Sequence, residues 1–250
     1  MPDYLYKFVS LVDDSSGEND ENEKRFHSLE KDEIWFSVPG KMNDPYEFRG
    51  VYVDYDRLKK EGISKSEVDE LQHMFEDEYA LASFSQGIDS FPMWAHYAND
   101  HKGFCVRYRV VDDKRIRKVK YEKQRPDITQ GIHEAILTNE KLKDPEMDTK
   151  LKGFMMGLQG MFMLVLEQNY TVKHQSWSYE EEYRIIVERT DKESSYGQNV
   201  PSNNVGLYVD AIYTGYKCNS YDRLREIAVK LGVPCYRCKL DEKDYMIFAE

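Results

Sequence analysis

Trp177 to Glu188 reads WSYEEEYRIIVE: two aromatics, three consecutive glutamates, then an apolar run that follows Arg184. Ile185, Ile186 and Val187 suit a pleated, half-buried surface, so the segment from about Glu182 onward reads as a strand entering a core. Three carboxylates stand at its mouth. Extended backbone carried back through them puts Glu180 and Glu182 on one side, and Tyr179, Glu181 and Tyr183 on the other. Whichever side faces inward, at least one carboxylate reaches the edge of buried space. Two readings stay open: Glu182 pairs with Arg184 two residues on, or it is held there for chemistry.

Other strands flank it in both directions. DYLYKFVSL (Asp3 to Leu11), IWFS, LASFS, FCVRYRV, RKVKY, VGLYVDAIYTG and VPCYRCKL all show apolar alternation or β-branched and aromatic enrichment. Helical spacing appears in three places. DYDRLKKEGISKSEVDELQHMFEDEYA carries an N-cap at Ser64 or Ser66; DSFPMWAHYANDHKG gives a short helix expected to stop at Gly103; SYDRLREIAVKLG ends on a glycine cap. The segment DDSSGENDENEK is too polar to bury surface and reads as an acidic mobile loop over 12–24. From 127 to 170 the pattern is a helical insertion whose Met-rich part, GFMMGLQGMFMLVLEQ, is too short and glycine-broken to span a bilayer. Irregular interleaving, with no glycine-rich loop after a strand, argues against nucleotide folds built on such loops. The prediction is one α+β domain over 1–250: a mostly antiparallel split or mixed sheet with flanking helices.

Composition narrows the function. The 250 residues carry a formal charge of −11, which argues against broad attraction to duplex nucleic acid or an anionic membrane. The one basic run, DKRIRKVKYEKQR from Asp113, reads as a solvated strand and loop. The start of the chain shows no secretory pattern, and the four cysteines fit a reducing compartment, so a cytoplasmic protein is expected. Cys235 and Cys238 lie on a strand that aims them to opposite faces, and the six histidines form no ligand pair, so no metal is expected.

What remains is four segments that pair aromatics with short polar side chains: LYKF (Leu5 to Phe8), IWFSVPGKMNDPYEF, ASFSQGIDSFPMWAHYANDHKG and KHQSWSYEEEYR (Lys173 to Arg184). This ordered set resembles the bacterial domain-of-unknown-function family numbered 2971, and the resemblance runs from Tyr4 to Arg184. In layout, though not in sequence, the arrangement is similar to ADP-ribosyltransferases. Their fold splays small sheets around an NAD cleft, with an early Arg or His, a middle Ser or Tyr and a late strand opening on a glutamate. Lys7 stands here where those enzymes use Arg or His.

That resemblance implies NAD as substrate. The implied catalytic positions are Glu182, Glu180 and Ser37; the implied NAD-contacting positions are Tyr6, Lys7, Asn43, Asp44, Ser85, Trp94, His96, Tyr97, Lys173 and Arg184. Breaking the nicotinamide–ribose bond passes through an oxocarbenium-like state that a carboxylate stabilises. Tyr97 or Trp94 would stack on the cationic ring. Such a protein acts as a toxin or phage-defence effector, with a protein or nucleic-acid acceptor or a partner protein of that system. The alternatives are a metal-independent ribonuclease using His96, Lys7 and a glutamate, or a nucleotide-binding module without turnover. Each candidate also has a plain structural role: Trp94 as core, Asn43 and Asp44 as turn formers, His96 as surface, Lys173 as surface or phosphate contact.

Overall fold

The computed structural model describes residues 2–12, 19–38, 42–47, 49–69, 78–142, 149, 167–244 and 247–249. In chain order the elements are β1 (Tyr4–Val9), α1 (Asn19–Glu30), β2 (Glu33–Ser37), α2 (Tyr55–Lys60), β3 (Tyr79–Ser85), α3 (Phe91–Tyr97), β4 (Phe104–Val110) and β5 (Ile116–Lys118). There follow β6 (Lys120–Glu122), α4 (Thr129–Leu142), β7 (Val172–His174), β8 (Glu182–Glu188), β9 (Gly197–Pro201), β10 (Leu207–Thr214), α5 (Tyr221–Leu231), β11 (Cys235–Leu240) and β12 (Ile247–Ala249). The chain forms two compact units: one holds 1–37, 80–118 and 178–250, the other 38–79 and 119–177.

The first unit is a mostly antiparallel open sheet in the order β12-β11-β10-β4-β1-β3-β2-β9, with β8 also on β3 and β5 on β8. β10 and β11 pair in parallel and are joined through α5, as a parallel pair requires a crossover. β1 and β4 pair along six positions, from Tyr4↔Arg109 to Val9↔Phe104. By contrast, β1 meets β3 at Tyr6↔Ser85. There the sheet branches: β3 has β1, β2 and β8 as partners.

Alternation sorts the two faces. Leu5, Phe36, Phe84, Val106, Ile185 and Val187 turn to the larger core, which α1 and α5 close with Phe26, Leu29, Leu224 and Ile227. Tyr6, Phe8, Cys105, Ala211 and Tyr213 turn the other way and meet Trp94 and Ala98 at α3. By the same alternation Ser37, Ser83, Ser85, Glu182 and Arg184 belong to the α3 face, each lying next to a residue of the larger core.

Local chemistry explains the helices. Ser90 caps α3, its hydroxyl accepting from the Met93 amide at 3.4 Å, with Pro92 in the first turn. Gly232 ends α5 in the left-handed conformation (φ +70°). Ser64 and Glu67 form a capping box, the Glu67 carboxylate accepting from the Ser64 amide at 2.7 Å. Three expectations change. The helix before Gly103 stops at Tyr97, and Asn99, Asp100 and His101 then turn left-handed (φ 46°, 54° and 67°). Gly103 serves close approach instead: a Cβ there would lie 2.1 Å from the Val9 carbonyl. The acidic stretch 12–24 is not a loop throughout, because from Asn19 it is α1. Asp20 and Glu21 sit favourably at its N-terminus, Asn22 hydrogen-bonds both backbone groups of Val12 at 2.9 Å, and Lys230 of α5 reaches Glu30 at 2.7 Å. Residues 13–18 and the Met-rich part of 127–170 lie outside the described residues.

The second unit holds α2, α4 and the parallel pair β6–β7, in register at Tyr121↔Lys173. The basic run is thus divided, β5 pairing with β8 in the first unit and β6 with β7 in the second.

Candidate functional site

The glutamate run differs from a continuous strand, and the difference builds the site. Gln175–Glu180 is a 3-10 turn, β8 begins at Glu182, and Glu181 between them has φ +44°. The Glu181 side chain is exposed, while Glu180 and Glu182 on either side of it turn inward. Glu180 and Glu182 are each 3% exposed. A non-glycine residue in the left-handed region carries strain of about 1 kcal/mol or more, which the surrounding contacts must hold.

Each buried carboxylate has its own partner. Tyr97, at the end of α3, donates its phenol hydrogen bond to Glu180 Oε1 across 83 residues of sequence. Glu182 accepts two hydrogen bonds from Arg184, Nε to Oε1 at 2.7 Å and the second guanidinium nitrogen to Oε2 at 3.0 Å. Arg184 is fully buried. A two-pronged pair of this kind fixes both side chains in one geometry. Half-buried Lys7 donates to the Ser83 carbonyl at 3.4 Å and stands over the Phe84 ring at 5.3 Å. This contact falls next to the single β1–β3 pair, where the ammonium occupies a carbonyl that a longer ladder would have engaged. Burial lowers the Lys7 amine to about 8, and the Glu182 carboxylate opposes that shift. The Ser83 hydroxyl is buried with no hydrogen-bond partner among the described residues.

The predicted residues divide accordingly. The structure brings together Glu180 with Tyr97, and Glu182 with Arg184, whereas Lys7 packs toward Phe84 on the other face of the sheet. His96 is exposed, its ring 6.1 Å from Tyr179. Ser85 is buried and in register with Tyr6, whose ring lies 6.5 Å from Tyr213. Tyr6 and Lys7, adjacent on β1, face opposite sides of the sheet. Ser37 closes β2 in register with Leu81 and Gly197 and makes no hydrogen bond to either glutamate among the described residues.

Trp94 is core: its indole donates to the Ile88 carbonyl at 2.8 Å, one edge meets Phe8 at 5.1 Å and His101 stacks on it at 6.3 Å. Those contacts take the ring faces that a nicotinamide would need. Asn43, Asp44 and Lys173 belong to the second unit. Asp44 is buried in a turn, accepting from the Tyr46 amide at 2.9 Å, and Lys173 is buried with its ammonium 4.7 Å from the Trp177 ring centre. The left-handed Glu181 escaped the sequence reading because three like residues carry no glycine to mark it.

Residues 93–185 match the model of a family described as Protein of unknown function (DUF2971). Over this segment the chain is similar to the DUF2971 family. The DUF2971 segment opens at Met93 in α3 and closes at Ile185 in β8, the two elements that the Tyr97–Glu180 hydrogen bond joins. The LYKF and IWFSVPGKMNDPYEF motifs precede it. No curated protein and no solved structure shows significant similarity to the chain. Among the described residues there is no cluster of three metal-ligating side chains and no helix long and apolar enough to cross a membrane.

Proposed function

We propose that the first unit cleaves the nicotinamide–ribose bond of NAD, as ADP-ribosyltransferases and NAD glycohydrolases do. One observation supports this above the others: Glu180 and Glu182 are both buried around a left-handed Glu181, each fixed by a partner from the same unit. In this reaction the electron pair of the C–N bond leaves with nicotinamide, positive charge develops on the ribose, and water or an acceptor's nucleophilic group then bonds to C1′ and gives up its proton. A fixed carboxylate meets that charge without reorganising, a contribution of about 3 kcal/mol per well-placed group. Glu180, held by Tyr97, is the carboxylate assigned to the ribose. Glu182, clamped by Arg184, supplies field and position.

Nicotinamide release from NAD by the purified protein tests this. Glu180→Gln is expected to lower the rate by about a hundredfold while the melting curve holds. Equal release by the variant, or none from the wild type, overturns the proposal. A second reading, a nucleotide-binding module without turnover, draws support from the two Glu182 oxygens both being taken by Arg184. Saturable NAD binding in calorimetry with no nicotinamide produced would select it.

A further inference from the structure

The α3 face carries a second group of residues that the carboxylate site does not use. α3 covers the end near Phe8, Cys105 and Tyr213. Toward the opposite ends of β1, β4 and β10 the face carries exposed tyrosine and arginine. Register places Tyr4 opposite Arg109 on one side and Tyr208 opposite Arg109 on the other. Tyr4 is 38% exposed and Tyr208 43%. Two strand spacings set these tyrosines about 10 Å apart, with Arg109 between them.

In the next row, the Arg107 guanidinium grips Asp210 at 2.6 Å and lies over the Tyr4 ring at 4.9 Å and the Tyr213 ring at 5.6 Å. Tyr213 in turn stacks on Tyr236 at 5.3 Å. Arg107 is therefore spent on holding the tyrosines. Arg109 is exposed and makes no ion pair among the described residues.

We infer that this face binds single-stranded nucleic acid, with bases stacked on Tyr4 and Tyr208 and the phosphate between them on Arg109. Every base has a flat face that an aromatic ring accepts, and an unpaired guanidinium between two such rings complements the intervening phosphate. A chain of net charge −11 has little electrostatic reach for duplex, so stacking must supply most of the affinity. The inference is independent of NAD chemistry, and its test contains no NAD.

Fluorescence anisotropy of labelled oligo(rU) and oligo(dT), roughly ten nucleotides long, reads it directly. Saturable binding is expected, with a shallow salt slope of about −0.7 for one neutralised phosphate. Tyr4→Ala and Tyr208→Ala should each weaken binding about 5- to 150-fold, and Arg109→Met should flatten the salt slope. All three positions are exposed, so circular dichroism should show the fold intact. Absence of wild-type binding, equal binding by Tyr208→Ala, duplex bound as tightly as single strand, or AMP bound as tightly as the oligomer would each overturn it. So would wild-type self-association abolished by Tyr208→Ala, which assigns the face to a second copy.

Discussion

Arg184→Met removes a fully buried guanidinium and leaves Glu182, itself 3% exposed, without its two-pronged partner. Stranding one member of a buried ion pair costs about 3–5 kcal/mol, because the remaining buried charge has lost its principal counter-charge. Lys7 does not replace the partner: its ammonium is engaged by the Ser83 carbonyl and itself suffers burial. For a unit of this size, each kcal/mol lowers the melting temperature by about 2–4 °C, so Arg184→Met should melt roughly 6–20 °C below wild type. The double variant Glu182→Met/Arg184→Met removes both charges and fills the space with apolar side chains of similar length. It should recover to within about 1 kcal/mol of wild type. Thermal and urea melts followed by circular dichroism measure both. The reasoning fails if Arg184→Met loses less than about 1 kcal/mol, or if the double variant is no more stable than the single.

Two further outcomes follow from the same neighbourhood. Lys7 has a folded value of about 8 against 10.5 unfolded, so between those values the unfolded chain holds more protons and stability from this group rises with pH. Wild type minus Lys7→Met, compared at pH 7 and pH 9.5 by urea denaturation, should show that rise, with Lys7→Met the more stable of the two at pH 7; a pH-independent difference contradicts the burial of the amine. Glu181→Gly relieves a left-handed glutamate whose side chain is exposed, and is expected to be neutral or to stabilise by up to about 1 kcal/mol despite the added freedom of the unfolded chain. A loss beyond about 1 kcal/mol would mean that the Glu181 side chain holds the turn.

Strands were legible where alternation is strict. FCVRYRV and EYRIIVE announce two faces, and their register places Arg107, Arg109, Glu182 and Arg184 on the one that α3 meets. Elements decided by distant partners were not legible. The acidic run before Phe26 reads as unstructured from its polarity, whereas its Glu23 is met by Arg223 two hundred positions later, and Glu30 at the end of the same helix by Lys230. The Asn99–Asp100–His101 turn was hidden by Gly103, which drew the helix end to itself. At the site, the pairing of Arg184 with Glu182 was one of two open readings, but Tyr97 on Glu180 was not among them, since no local pattern links positions 83 apart. Sequence order also could not show that Asn43, Asp44 and Lys173 fold with a different unit from the glutamates.

The chain quits the first unit after Lys118 and re-enters it at Ser178, and the strands on either side of that excursion, β5 and β8, lie side by side with Lys118 opposite Tyr183. Doorposts set this close make the frame nearly indifferent to what hangs between them: doubling the length of the intervening chain adds only about 0.6 kcal/mol of closure entropy. Chains sharing this sheet are therefore free to vary in size and content between positions 119 and 177, and new specificities can be spliced there while the glutamates at the re-entry point stay where they are.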